Sequence, residues 1–265
     1  MFAATCLGAV LLWSSASTAT TLRIGGTGIG LAAMQAVGDN LSAVEPDFRA
    51  EVLPSLETAG GLLALRDGAI DLALSGRRLR PEERAGGLTE AACANTALVF
   101  ASSRSTPGDI TRSDLPRLYS EVRPTWPDGT PMKVILRSRA GSEVPFLTAT
   151  VPGIGEAFEK AYRRPGTPVG ATDQENVELA QKIPGSLAVT TLLQVRAERL
   201  NLRVLALDGV VPTAGTIANK TYPLIVPLCL VTPASPQPGA VRFIDHVMSP
   251  AGQALLRSFD TIPVE

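Results

Sequence analysis

The sequence predicts an α/β protein built on mainly parallel sheets. Three observations carry this. Short apolar strands alternate with helical runs near the N-terminus. Glycine, serine and threonine gather where strands hand over to helices. Two long apolar strands, 94–102 and 222–232, bracket the middle of the chain. Strands alternating with helices bury both faces of a parallel sheet, and ligands then sit at the strands' carboxyl ends. The two long strands read as crossings between two lobes, the first holding both ends of the chain.

Taken in order, Thr21–Gly25 reads as a strand and Ile29–Val44 as a helix, with Ile29, Ala33, Ala36, Val37 and Leu41 on one face. Arg49–Leu53 is a second strand, Ala59–Arg66 a helix stopped by Asp67-Gly68, and Ile70–Ser75 a third strand. After the first crossing, 107–131 is rich in Pro, Asp and Arg and reads as irregular with one short helix. Met132–Leu136 is a strand, followed by helical runs at Val144–Thr150 and Gly155–Tyr162. Thr172-Asp173-Gln174-Glu175 is a capping-box pattern, which makes Thr172 and Asp173 caps of a helix ending near Lys182. Ser186–Thr190 and Arg203–Leu207 are short strands. Tyr222–Thr232 is a long strand broken by Pro227, and Ala240–Met248 and Ala251–Ser258 are terminal helices.

The chain has 265 residues, 45% hydrophobic and 18% charged, enough for one large domain or two modest ones. A net charge of -1 leaves no electrostatic footprint for nucleic acid. Phe2–Trp13 is apolar but too short to span a membrane, and small and hydroxyl residues follow it. That pattern is expected of a signal peptide over 1–19, although no Lys or Arg precedes the apolar run. Export to the periplasm would leave Cys93 and Cys229, which could form one disulfide or be two small buried hydrophobes. No Cys/His grouping has metal-ligand spacing, and no cofactor is expected.

Three joints carry the functional reading: Ile24–Gly30, Ser55–Gly61 and Arg137–Glu143. Each follows an apolar strand and opens a helical run. A helix start exposes unpaired N–H groups and a positive dipole end. Glycine lets backbone approach a ligand, and hydroxyls add donors. Starts aimed at one point would bind a small anion without a lysine cluster. The expected donors are Thr27 and Gly28, Thr58 and Ala59, and Gly141 and Ser142, with the Arg137 fork completing the shell. Arg139 and Arg77 rank behind Arg137. Loss of Arg137 is expected to weaken binding and leave folding intact, since the side chain should face the cleft. The first joint is no dinucleotide fingerprint: counted from Gly26, the last glycine position is Leu31.

The order of these segments resembles the type II periplasmic binding proteins, specifically the phosphate-binding-protein-like family of ABC transporters. The residues that carry it are Ile24–Gly28, Leu65–Ser75 with Gly76-Arg77-Arg78-Leu79, Arg137–Glu143, Pro184–Ala188, Leu207–Val210 and Tyr222–Leu228. The resemblance implies lobe I from 20–98 and 224–265, lobe II from 99–223, and an anion in the cleft between them. It adds Ser75 to the ligand-binding set. It also implies an ABC permease as partner, and a monomer without a membrane span. The family's phosphate receptors place an Asp after that Ser, to accept a proton from the anion; here Gly76 stands there. Glu143 is the candidate replacement, and it reads equally well as a helix-start acid that favours the dipole.

The function that follows is capture of a small oxyanion, phosphate foremost, for ABC-type uptake. A periplasmic sensor or accessory binding protein for another small anion would have the same sequence features. An enzyme on the same fold is the third reading. It has little support: His246 is the only histidine, in an amphipathic segment, and no nucleophile elbow or metal motif is present.

Overall fold

The structure is a computed structural model and describes residues 20–264. The expected signal segment, 1–19, lies outside the described residues. The N-terminal rhythm is as expected. β1 (Thr20–Gly26) leads through a 3-10 turn at Gly28–Gly30 into α1 (Leu31–Val44); β2 (Phe48–Val52), α2 (Glu57–Arg66) and β3 (Leu72–Ser75) follow. β1 lies between β2 and β3 and pairs in parallel with both, with Ile24 opposite Val52 and Leu72. Gly68, at φ 72, ends the turn after α2. A short helix absent from the sequence reading, α3 (Pro81–Ala85), has Pro at its start and Glu82 and Glu83 in its first turn.

β4 (Leu88–Ser102) is the first crossing strand and begins six residues before the expected start at Ala94. Beyond it, α4 (Leu115–Ser120) is the one helix in the Pro-rich stretch. The expected strand at 132–136 is two strands. β5 (Lys133–Val134) pairs with the later strand at 186–191, while β6 (Leu136–Arg137) turns to another partner. Then come α5 (Glu143–Thr150), α6 (Ile154–Tyr162), β7 (Val169–Gly170), α7 (Asp173–Lys182) and β8 (Ser186–Thr191). β6 and β7 form a separate parallel pair, with Arg137 opposite Gly170. Thr172 caps α7 as expected, its hydroxyl accepting from the Glu175 N–H.

α8 (Leu192–Ala197) and α9 (Ala214–Ala218) flank β9 (Arg203–Val204), and the chain returns through β10 (Ile225–Pro233). β10 runs antiparallel between β3 and β4. Pro227 does not break it. Pro227 faces Asn95 of β4, whereas β3 pairs only with Cys229–Val231, so its missing N–H falls where β10 has a single neighbour. α10 (Pro238–Met248) and α11 (Pro250–Ser258) close the first lobe, and β11 (Ile262–Val264) adds to β4.

The main strand order is β2-β1-β3-β10-β4-β8-β5. Each end has its own core. Leu22, Ile24, Met34, Val37, Phe48, Leu72 and Phe243 pack at one end. Phe100, Tyr119, Trp126, Leu136, Phe158, Val189 and Tyr222 pack at the other. The long strands β4 and β10 join the two cores. Register pairs Cys93 directly with Cys229, and the two form a disulfide with Cα atoms 4.1 Å apart. No helix among the described residues is long and apolar enough to cross a membrane.

Candidate functional site

The carboxyl ends of β1, β3 and β6 and the N-terminal ends of α2, α5 and α7 meet at Arg137. Tight backbone packing makes this possible. Gly26 leaves β1 at φ 128, where a Cβ would lie 2.2 Å from the Leu74 carbonyl oxygen. The next residue, Thr27, is thereby held against the second lobe. Its hydroxyl donates to Asp173 Oδ2 at 3.0 Å, and Gln174 Nε2 donates to the Gly28 carbonyl at 2.9 Å.

Arg137 is not the open fork that the sequence implies. It is 2% exposed and its donors are engaged by the protein's own acceptors. Nη2 donates to Glu57 Oε2 at 2.9 Å and to Asp173 Oδ1 at 3.0 Å. Nη1 donates to the Gly170 carbonyl at 3.1 Å, and Nε to Glu143 Oε1. Tyr162 holds the Arg137 carbonyl from behind. Asp173, expected to be only a cap, is therefore an ion-pair partner. Glu57 joins the cluster from lobe I, and its other oxygen accepts from the Asp173 N–H at 3.1 Å. Glu57 also has φ 56, a left-handed conformation uncommon for a residue with a Cβ.

One guanidinium thus faces three carboxylates. Burial disfavours the Arg137 charge, but Asp173, Glu143 and Glu57 outweigh it and hold its pKa above the usual value. Glu143 is pushed up to about 7, first by burial; Arg137 opposes this, while Asp173 and Glu57 add repulsion. Glu57 is raised too, by burial and then by Asp173, against the pull of Arg137.

The other expected ligands lie around this cluster with mixed roles. Thr58 Oγ1 accepts from the Gly76 N–H at 3.0 Å, which fixes the exit of β3. Ser75 turns its hydroxyl back to the Arg77 carbonyl at 2.6 Å. The Gly141 N–H is used within its own turn, on the Ser138 carbonyl. Ala59 sits in the first turn of α2 without a polar side chain to offer. Ser142 faces Gly76: a Cβ at 76 would lie 2.8 Å from Ser142 Oγ. Arg139 is outside the site, paired with Glu159 and stacked over Tyr162. Arg77 pairs with Glu83.

Gly76, Ser142, Glu143 and Asp173 line a cavity of about 20 Å³ with Thr190 and Thr191, room for a single water. A second hollow of about 510 Å³ opens beside it. It is walled by Leu31, Gln35 and Val52–Ser55 from lobe I and by Thr172, Gln174 and Glu198 from lobe II. The residues that sequence reasoning missed are Glu57, Asp173, Thr190 and Thr191. Glu57 carried a signal, being an acid inside one of the three joints. Among the described residues, one Cys/Glu group has metal-like proximity, Glu90 with Cys93 and Cys229, and the disulfide consumes both sulfurs.

The sequence matches the PBP superfamily domain over residues 14–251. The chain belongs to the PBP superfamily. Solved structures of type II periplasmic binding proteins share this superfamily fold. One is from Clostridium perfringens, assigned as a phosphate ABC transporter substrate-binding protein and solved with phosphate bound. It is 18% identical with a TM-score of 0.78, covering 93% of this chain and 100% of its own. The periplasmic molybdate-binding protein of Azotobacter vinelandii is 12% identical with a TM-score of 0.64, covering 92% and 100%. An ABC-type phosphate transport receptor of Vibrio cholerae is 17% identical with a TM-score of 0.59, covering 92% and 99%. Among curated proteins, none matches this sequence.

Proposed function

We propose that the protein is an extracytoplasmic solute-binding protein that closes two lobes, 20–98 with 224–265 and 99–223, on a small protonated oxyanion, phosphate foremost, and delivers it to an ABC permease. The observation that carries this is Arg137 with carboxylates from both lobes converging on it in one cleft. Arg137 is the anchor for the anion. The ligand enters when the lobes part and a carboxylate releases the guanidinium. Thr27 and Ser142 supply hydroxyls, and the starts of α2 and α5 supply backbone donors. The remaining carboxylates then act as acceptors. An oxyanion that carries O–H groups satisfies them, whereas a fully deprotonated one meets only repulsion. A cysteine pair joined as a disulfide supports an oxidising compartment.

Calorimetry on the mature protein tests this. Phosphate should bind at pH 6 and more weakly at pH 8, because protonation of both the ligand and Glu143 lowers the repulsion. Sulfate and molybdate should bind at least about tenfold more weakly, the loss of one charge-assisted hydrogen bond. Heat with none of the three would overturn the reading.

A further inference from the structure

A third cavity, which shares no lining residue with the two at the cleft, has the makings of a binding site. It measures about 400 Å³ and is walled by 122–125, 131–134 and 164–168. These segments run into the N-terminal ends of β5 and β7. The register sets Leu136 opposite Val169 and Arg137 opposite Gly170, so Arg137 and α7 lie at the carboxyl ends of β6 and β7. The cavity and the cleft are thus at opposite ends of lobe II.

The lining has an uneven chemistry. Arg123, Lys133 and Arg164 line it, and no Asp or Glu does. Most described arginines of this chain are paired with carboxylates, but among the described residues none of these three cations makes an ion pair. Arg164 spends one donor on the Tyr119 carbonyl and retains the rest. The nearby acids are committed elsewhere, Glu121 to Arg117 and Asp128 to Arg104. Thr167 Oγ1, also on this wall, is buried with no hydrogen-bond partner. Buried hydroxyls are normally satisfied, so this one marks a place for an acceptor or donor supplied from outside the chain. The remaining wall is apolar and stiff, with Pro124, Pro131, Pro165 and Pro168, Met132, Val134 and Val122, the last 75% exposed.

We propose that this cavity binds a small organic anion, a carboxylate or sulfonate on a compact apolar body. The three cations attract the charged head, Thr167 hydrogen-bonds it, and the proline and valine wall covers the body. An inorganic ion would leave that wall wet. The volume falls in the range of small-molecule sites, about 300–1,000 Å³.

The test uses 1-anilinonaphthalene-8-sulfonate as probe on the folded full chain. Fluorescence should rise to saturation at one probe per chain. In the Arg123→Gln/Lys133→Gln double variant the probe should bind at least about tenfold more weakly. Both side chains are exposed, so the variant should melt with the parent, which circular dichroism checks. A saturating excess of inorganic phosphate should leave the probe in place. An unchanged titration in the double variant, displacement by phosphate, or no saturable signal would each overturn the proposal.

Discussion

Glu57 of α2 reaches across the cleft to Arg137, 80 residues later in the chain, placing Oε2 2.9 Å from Nη2. This contact ties the second joint, in lobe I, to the third, in lobe II. The second and third joints each bring an acid to Arg137, Glu57 and Glu143, and Asp173 at the start of α7 adds another. Internal charge thus joins the two lobes here, and the proposed anion would have to compete with it.

The first prediction concerns Arg137 itself. Its removal leaves Glu57, Glu143 and Asp173 without their shared cation in a buried site. Breaking a buried pair by removing one partner costs about 3–5 kcal/mol. Arg137→Ala should therefore lower the melting temperature, contrary to the expectation that folding is unaffected. Arg137→Lys keeps the charge but loses the fork, and should fall between. Denaturant melts of the three proteins check this; equal midpoints would show the acids to be adequately hydrated without Arg137.

The second concerns pH. Glu143 has an ordinary pKa of 4.5 and is pushed up to about 7 in the fold, and Glu57 moves in the same direction. Between pH 4.5 and 7 the folded state keeps a proton on Glu143 that the unfolded chain has released. Stability is thus fully present below about 4.5, falls as pH rises to about 7, and is flat above. The fall from this one group is at most about 3 kcal/mol. Asp128 and Glu83 are held low by Thr130 and Arg77, and their contribution is lost at the acid end instead. Melting temperature against pH should peak at mildly acidic pH. Glu143→Gln should flatten the fall, and a curve that keeps its slope would remove Glu143 as its source.

The third concerns Cys93 and Cys229. The bond closes a loop with a sequence separation of 136. Chain-entropy reasoning gives about 5 kcal/mol for a loop of that length, an upper figure because β4 and β10 already pair there. The Cys93→Ser/Cys229→Ser variant should melt lower and should be insensitive to reductant. Intact-mass measurement of the parent without residues 1–19, and so without Cys6, should show no thiol that reacts with iodoacetamide before reduction.

Much of the frame was legible because it is local. Periodicity gave the N-terminal strands and helices, and the Thr172 to Glu175 pattern placed the start of α7. The division of 132–137 into β5 and β6 was not legible, because it depends on which distant strand each residue meets, Ser186 for Lys133 and Val169 for Leu136. The candidate site was half legible. Two of the glycine and hydroxyl joints meet at Arg137 in the fold, as their pattern suggested. The acids that surround it were hidden for the same tertiary reason. Asp173 looks like any helix-start acid until the fold sets it 3.0 Å from a residue 36 positions earlier.

The last prediction separates space from charge at Gly76. The phosphate receptors that this chain resembles carry an Asp at the matching position, so Gly76→Asp would seem to restore a phosphate site. The surroundings argue the reverse. A Cβ at 76 would meet Ser142 Oγ at 2.8 Å, and that hydroxyl is the end of a short side chain that can rotate away. Gly76→Ala displaces a hydroxyl proposed as a donor to the anion, and should weaken phosphate by less than about tenfold. Gly76→Asp adds a fourth carboxylate to a cleft where Arg137 already faces Glu57, Glu143 and Asp173. With like charges within a few ångströms of one another, the cost falls on closure and on the bound anion alike. Affinity for phosphate should drop at least about tenfold, about 1.4 kcal/mol. The Gly76→Asp/Glu143→Gln double variant, which brings the acid count back to three, should recover it. Calorimetry on the three variants decides the matter: tighter binding by Gly76→Asp alone would mean that Glu143 does not stand in for the missing Asp.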